Sequence, residues 1–269
     1  MPESAIHEIP YNKPYISGKE KLYIHDALQK GSLSGNGIFT KFCHQFFREK
    51  FSFDHTFLTT SCSAALDMSA LLCNLQPGDE VIVPSFGYVT SASAFYGRGG
   101  EIVFADSEKD RPHISAESVK KLITGKTKVL VIIHYAGSSC NMVDLIPLVE
   151  KHNLILIEDS AHALGATYKN QYLGSFGHIS TFSFHETKNV HCGEGGLLVV
   201  KDSKLAAKAD RIWNEGTNRT AFDQRLVNKY EWVAQGSSYQ PSELNAAFLF
   251  SQLQQIEDIN QQRLLQWER

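Results

Sequence analysis

The chain has 269 residues, of which 42% are hydrophobic and 20% are charged, a composition typical of a globular protein with one large core. Its formal net charge of -3 gives no electrostatic reason to expect binding to nucleic acid or to an anionic membrane. No apolar run is long enough to span a bilayer, and residues 1–4 do not resemble a signal peptide. We therefore expect a cytoplasmic protein.

The five cysteines are scattered and show no short paired spacing. In a chain without a signal peptide, this distribution indicates reduced thiols rather than disulfides. No C-x-x-C or H-x-x-x-H pair is present, so no metal site is predicted.

Predicted strands and helices alternate along most of the chain. The strands are predicted at 55–60, 80–83, 101–105, 129–133, 154–157, 180–184 and 197–200, the last of them antiparallel. The helices are predicted at 15–28, 42–51, 61–72, 89–96, 115–122, 144–152 and 203–213, with a long helix from 241 to the end. This alternation predicts an α/β fold with a mainly parallel sheet and helices on both faces. Because parallel crossovers are right-handed, the strand ends should collect at one edge.

Polar residues follow two of the apolar runs. Asp159 ends the run that begins at residue 154, and Lys188 follows the run that ends at residue 184. A carboxylate and a lysine in one crevice suggest lysine chemistry on an aromatic, nitrogen-containing cofactor. Taken singly, Asp159 could cap a helix and Lys188 could be an ordinary solvated side chain.

Other strand ends offer further candidates, each with an ordinary structural alternative. Ser183 could bind a phosphate or sit in the core, and Tyr88 could stack on a ring or pack against its neighbours. His162 lies close enough in sequence to join the site, although a buried structural histidine is the usual case. The turn at 61–63 could cap the next helix or leave its N–H groups free to bind an anion.

In combination, these segments resemble one known family. Ser183-Phe184-His185-Glu186-Thr187-Lys188, followed by Gly193-Glu194-Gly195-Gly196, is similar to the lysine motif of the DegT/DnrJ/EryC1/StrS sugar aminotransferases. The segments 61–66, 84–88 and 158–162 also fit, in the same order. The resemblance covers nearly the whole chain. It implies a pyridoxal 5'-phosphate (PLP) enzyme of the aspartate-aminotransferase fold, fold type I.

The resemblance also implies a role for each matching residue. Lys188 would form the Schiff base with PLP and move the proton during catalysis. Asp159 would pair with the pyridinium nitrogen, Tyr88 would stack on the ring, and His162 would lie near the phenolic oxygen. Ser183 and the turn Ser61-Cys62-Ser63 would hold the phosphate.

The family also has a phosphate-binding asparagine that reaches across from a partner subunit. Ser238 takes that position here, within Gly236-Ser237-Ser238-Tyr239. The resemblance therefore implies a homodimer with shared active sites.

Finer features resemble the family branch that aminates dTDP-4-keto-6-deoxy-D-glucose. They are the segments 134–137, 185–189, 216–219 and 260–263. The implied reaction moves an amino group from glutamate to the 4-keto carbon, in the synthesis of enterobacterial common antigen or O-antigen sugars. Related 3-dehydratases have histidine in place of the lysine, so Lys188 favours transamination.

Residues 1–240 are predicted to form the PLP-binding domain, and residues 241–269 a long helix leading to a small C-terminal domain that the chain lacks. One alternative is a catalytically inactive remnant that only binds PLP or dimerises. An NAD-binding protein is a further alternative, but no G-x-G-x-x-G opens the first strand–helix turn.

Overall fold

The computed structural model describes residues 10–268. The residues on which the signal-peptide prediction rests lie outside this range. The helices are α1 (Glu20–Lys30), α2 (Ile38–Phe51), α3 (Cys62–Cys73), α4 (Thr90–Tyr96), α5 (Ala116–Leu122), α6 (Met142–His152), α7 (Ser203–Trp213), α8 (Arg219–Asp223), α9 (Glu243–Leu253) and α10 (Ile256–Trp267). The strands are β1 (His55–Thr59), β2 (Glu80–Pro84), β3 (Glu101–Ala105), β4 (Thr127–Ile133), β5 (Ile155–Asp159), β6 (Thr167–Tyr168), β7 (Gln171–Tyr172), β8 (Ile179–Ser183) and β9 (Gly196–Val200).

Seven strands form the main sheet, in the order β1-β9-β8-β5-β4-β2-β3. The pairs β8–β5, β5–β4, β4–β2 and β2–β3 are parallel, whereas β9 is antiparallel to both of its neighbours. Six strands therefore point in one direction, and β9 alone runs the other way. This confirms the predicted mainly parallel sheet and the antiparallel strand near 197–200.

Helices cover both faces of the sheet. On one face, α3, α4 and α7 pack on residues such as Val81, Val129 and Ile157. On the other face, α5 and α6 pack on one half of the sheet, and α2 and α9 pack on the other half. Because both faces are buried, the central strands are apolar at nearly every position, which is why their sequences read as continuous hydrophobic runs.

The prediction of one long helix from residue 241 is wrong. The segment forms α9 and α10, and the backbone leaves the helical region at Gln255, with φ -118° and ψ 15°. Neither glycine nor proline stands at this break, so the helical pattern of the sequence continues across it without interruption. The domain boundary at residue 240 stays a prediction; α9 itself packs into the same apolar cluster as α2.

Two smaller features also differ from the sequence prediction. Helix α1 begins at Glu20 rather than near residue 15, after the segment that contains Pro14 and Gly18. The short β6–β7 hairpin was not predicted; it turns at Lys169 and Asn170, which both have positive φ. Within residues 10–268, no helix is long and apolar enough to cross a membrane.

Candidate active site

A cavity of about 780 Å³ lies beyond the carboxyl ends of the parallel strands. The ends of β2, β4, β5 and β8 all contribute to its wall, as expected for a ligand site in an open α/β sheet. Eight of the nine predicted site residues line it: Ser61, Cys62, Ser63, Tyr88, Asp159, His162, Ser183 and Lys188. A second crevice of about 440 Å³, between the end of α2 and the β6–β7 hairpin, contains none of them.

Asp159, at the end of β5, is only 4% exposed. The Ser91 hydroxyl donates to its Oδ2 at 2.6 Å, and the Ala161 N–H donates to its Oδ1 at 3.2 Å. None of the ion pairs among residues 10–268 includes Asp159. A buried carboxylate of this kind is well placed to pair with a cationic group on a ligand.

Lys188 lies on the loop between β8 and β9 and is half-buried. Burial lowers the pKa of its amine, and the neighbouring Asp159 opposes this shift. Its amine belongs to no ion pair among the described residues. A partly desolvated amine loses its proton more readily, as a Schiff-base lysine requires.

His162 borders the same cavity and is held from the β4 side. The Ala136 N–H donates to its Nδ1 at 3.2 Å, and the Tyr135 ring meets the imidazole edge-on at 5.4 Å between centroids. Burial lowers the pKa of His162, the positive Lys188 lowers it further, and Asp159 opposes both. Since Nδ1 accepts a hydrogen bond, the neutral ring carries its proton on Nε2 and can donate from there.

The turn between β1 and α3 has the geometry of an anion site. The Ser61 hydroxyl accepts from the Ala64 N–H at 3.1 Å, which confirms the predicted helix cap. The N–H groups of Cys62 and Ser63, in the first turn, have no acceptor within the helix. The backbone of Gly196 packs directly against Ser61 and Cys62, and a Cβ at that position would clash with both.

Cys62 stays a neutral thiol in this turn. Its pKa is raised well above the ordinary value by burial and then by the negative charge of Asp159. It therefore adds no negative charge where an anion would bind.

Tyr88 and Ser183 occupy two other parts of the wall. Tyr88 follows β2 and is 72% exposed, so its ring is largely free of packing within this chain. Ser183 ends β8, and its Oγ accepts weakly from the His185 N–H at 3.4 Å. Their roles in stacking and in phosphate binding stay predictions.

Ser238 is exposed and does not line this cavity. The sequence assigned it to the cavity of a partner subunit, and that assignment stays a prediction.

Several residues of the site were not predicted. Ser91, on α4, is the clearest, because only the fold brings it to Asp159 from 68 positions away. Tyr135 and Glu194 also line the cavity. Their nearness in sequence to predicted strand ends was the one available signal.

The residues present fit PLP. Three groups border one cavity: a buried carboxylate that belongs to no ion pair among the described residues, a partly desolvated lysine, and a helix N-terminus with free N–H groups. These groups match the pyridinium, the aldehyde and the phosphate of that cofactor. Within residues 10–268, no cluster of three or more His, Cys, Asp or Glu side chains could hold a metal ion.

Solved structures of sugar aminotransferases resemble this chain closely. The Helicobacter pylori aminotransferase PseC, involved in the biosynthesis of pseudoaminic acid, is 27% identical, with a TM-score of 0.84 over 93% of this chain and 66% of its own. The putative sugar aminotransferase Spr1654 from Streptococcus pneumoniae, in its PMP form, is 28% identical, with a TM-score of 0.87 over 95% of this chain and 70% of its own. An aminotransferase from Psychrobacter cryohalolentis is 29% identical, with a TM-score of 0.86 over 93% of this chain and 65% of its own.

The chain thus spans about two thirds of the length of these structures. A family model, that of the DegT/DnrJ/EryC1/StrS aminotransferase family, matches residues 14–269. PLP is the cofactor of this family, and the Streptococcus pneumoniae protein has been solved in both PLP and PMP forms. The sheet order, the cavity at the strand ends and the lysine motif all agree with this match, and the chain belongs to the DegT/DnrJ/EryC1/StrS aminotransferase family.

Proposed function

We propose that this chain binds PLP and acts as a sugar aminotransferase, with Lys188 as its catalytic residue. The observation that carries the proposal is the meeting of Lys188, Asp159 and the N-terminus of α3 in one cavity. Each of these groups has an unremarkable structural explanation by itself. No such explanation for a single residue accounts for their convergence from three separate elements.

When bound, PLP supplies a ring that withdraws electrons from the carbon that gains or loses a proton. Asp159, held by Ser91, would pair with the ring nitrogen and favour its protonated form. Lys188 supplies the amine that can bond to the cofactor aldehyde and, once free, can carry a proton. His162 offers its Nε2–H as a donor to the ring oxygen.

For the substrate, we propose a nucleotide-linked 4-keto sugar, dTDP-4-keto-6-deoxy-D-glucose, with glutamate as the amino donor. The support is the resemblance at segments 134–137, 185–189, 216–219 and 260–263. PseC from Helicobacter pylori, which is involved in making pseudoaminic acid, supports the broader class of sugar biosynthesis. We place the reaction in the cytoplasm, in the supply of amino sugars for surface polysaccharides, and propose a homodimer as the working unit.

The first experiment tests cofactor attachment. The purified chain is mixed with PLP, reduced with borohydride and digested, and the modified peptide is identified by mass spectrometry. We expect the label on Lys188, and we expect Lys188→Ala to abolish it. Lys201→Ala, which changes an exposed lysine, serves as the matched control. Labelling spread over many lysines, or undiminished in Lys188→Ala, would refute the assignment.

The second experiment tests turnover. Glutamate is added to the PLP-loaded chain, followed by the keto-sugar nucleotide, and the products are separated by chromatography. Conversion of PLP to its amino form and appearance of an amino sugar support the enzyme. Lys188 labelling without either change supports the alternative of an inactive PLP-binding remnant.

A further inference from the structure

The loop that carries Lys188 is closed on itself by backbone hydrogen bonds. We call residues 184–195 the lysine loop. It joins β8 to β9 at the edge of the cavity. Its closing bonds are Phe184 N–H to Gly195 O at 2.8 Å, Cys192 N–H to Phe184 O at 2.9 Å, Glu186 N–H to Gly193 O at 2.8 Å and Lys188 N–H to His185 O at 2.9 Å. The loop is therefore a defined structure rather than a loose connection.

Asn245 holds this loop from another part of the chain. It sits in the first turn of α9, and its Nδ2 donates to the Cys192 carbonyl at 3.0 Å and to the Glu194 carbonyl at 3.1 Å. Its Oδ1 accepts from the Ser242 hydroxyl at 2.8 Å. The two carbonyls require a donor and the hydroxyl can supply a proton, so these three contacts assign the orientation of the amide.

The two carbonyls lie on the arm of the loop that returns to β9. The Cys192 N–H also donates to the carbonyl of Phe184, the first residue after β8. A restraint on Cys192 therefore also restrains the part of the loop that follows β8. Lys188 lies between the part of the loop that follows β8 and the part that leads into β9. The loop therefore sets the position of the Lys188 Cα relative to Asp159 on β5. A side chain on α9 thus reaches the catalytic lysine through one shared loop.

We propose that Asn245 is a positioning residue, which holds the lysine loop so that the Lys188 amine meets the cofactor aldehyde. This inference rests on the proposed function, because it assumes that Lys188 bonds to PLP. Asn245 does not line the cavity, so it has no direct contact with a ligand there. It acts through the position of Lys188.

Asn245→Asp is the sharpest variant. The carboxylate has nearly the same shape, but it cannot donate and faces two carbonyl oxygens. Asn245→Ala removes the donor without adding a charge, and it keeps the test valid if the aspartate variant does not fold. Ser251→Ala is the matched control, because it removes a hydrogen bond of the same helix, from the buried Ser251 hydroxyl to the Phe248 carbonyl, and leaves Asn245 and its partners in place.

Two measurements separate positioning from general stability. The first is hydrogen exchange of peptides covering 184–195 without cofactor, where we expect exchange about tenfold faster in both Asn245 variants. The second is the ratio of PLP covalently attached at Lys188 after brief borohydride treatment to total PLP bound. We expect that ratio to fall about tenfold, because the loop loses the hydrogen bonds that Asn245 donates to it. Ser251→Ala should leave both values close to those of the wild type, even if its melting temperature falls.

The outcomes are distinct. If Asn245→Ala and Ser251→Ala give the same exchange and the same attachment ratio, Asn245 acts only through the stability of α9 and the inference is wrong. If the wild-type chain does not attach PLP at Lys188, the proposed function fails. Loop exchange that is unchanged in both Asn245 variants refutes the positioning role of Asn245 independently of the cofactor.

Discussion

At the scale of single residues, the Asp159 carboxylate depends on one short hydrogen bond. The Ser91 hydroxyl donates to it at 2.6 Å, and Ser91 is itself buried. Hydrogen bonds to charged groups contribute about 1.5–3 kcal/mol, so Ser91→Ala should destabilise the fold by that amount. We also expect PLP affinity to drop about tenfold, because the carboxylate proposed to pair with the ring nitrogen is less firmly held. Denaturant unfolding and a PLP titration measure the two effects.

Ser93→Ala is the matched control for this change. Ser93 lies on the same helix, α4, and is exposed. Its substitution should alter neither stability nor PLP affinity. Equal behaviour of the two variants would show that the hydrogen bond from Ser91 to Asp159 contributes to neither stability nor PLP binding.

Lys188 should give the cofactor-free chain a characteristic pH dependence of stability. Burial lowers the pKa of Lys188 in the folded state, so the charged form of the amine destabilises the folded chain. This penalty is full below the lowered pKa, and it disappears as the pH rises towards the ordinary lysine value of about 10.4. Lys188→Met should therefore be more stable than the wild type at neutral pH, with a gap that narrows as the solution becomes alkaline.

The readout is the melting temperature of each variant across the pH range. The control is Lys201→Met, at an exposed lysine that follows β9. The difference in melting temperature between Lys201→Met and the wild type should not change with pH. A constant gap for Lys188→Met would mean that the substitution acts by packing alone and that the amine is not desolvated.

The residues of the site were predictable to the extent that they end strands or begin helices. Asp159, Ser183 and the turn at 61–63 stand where an apolar run stops, and this is visible in the sequence. Ser91 was not predictable, because its contact with Asp159 depends on how α4 packs beside β5. The Ala136 N–H that sets the tautomer of His162 was missed for the same reason, since a backbone donor has no sequence signature.

At the scale of elements, the close approach of β9 to the start of α3 shapes the predicted phosphate site. Gly196 begins β9, and a Cβ there would clash with the Ser61 carbonyl group and the Cys62 nitrogen. Both of those partners are backbone atoms, which cannot move aside as a flexible side chain could. Gly196→Ala should therefore push the turn away from β9 and cost about 1–3 kcal/mol of stability.

The same substitution should weaken PLP binding by at least about tenfold, because the N–H groups of the turn lose their common orientation. Gly125→Ala is the control, since a Cβ at Gly125 has no neighbour within 4 Å and the residue does not need positive φ. PLP titration and thermal unfolding of both variants provide the comparison. Unchanged PLP affinity in Gly196→Ala would show that the phosphate binds elsewhere.

Element types were predictable wherever burial on both faces left a simple pattern. Strand β3 occupies the predicted residues 101–105, and α7 occupies the predicted residues 203–213. The break between α9 and α10 was not visible, because Gln254 and Gln255 are compatible with a helix and tertiary packing interrupts it. The β6–β7 hairpin was too short to produce an alternating pattern.

At the scale of the whole molecule, segments far apart in sequence converge on the lysine loop. The Asn12 side chain donates to the Glu186 carbonyl at 3.2 Å, near the start of the described chain. The Asn189 side chain donates to Asn260 on α10 at 3.2 Å. The loop thus makes hydrogen bonds with residues near both ends of the described chain as well as with α9. Contacts of this range follow from the complete fold, and for that reason sequence patterns did not reveal them.

The predicted dimer can be tested at Ser238. This residue is exposed and lies outside the cavity of its own chain, whereas the family resemblance places it near the phosphate of a partner subunit. Ser238→Glu would put a carboxylate beside that phosphate. Two like charges about 4 Å apart repel by roughly 4 kcal/mol near a protein surface, so PLP affinity should fall at least tenfold in a dimer.

In a monomer, the same substitution should leave PLP affinity unchanged, because the new charge is remote from the chain's own cavity. Ser237→Glu adds the same charge at the neighbouring exposed position and serves as the control. Analytical ultracentrifugation gives the oligomeric state at the concentrations used for the PLP titration. A dimer whose PLP affinity is the same with Ser238→Glu as with Ser237→Glu would rule out Ser238 as the residue that crosses between subunits. A dimer that loses affinity only with Ser238→Glu would show that each cavity is completed by the other chain.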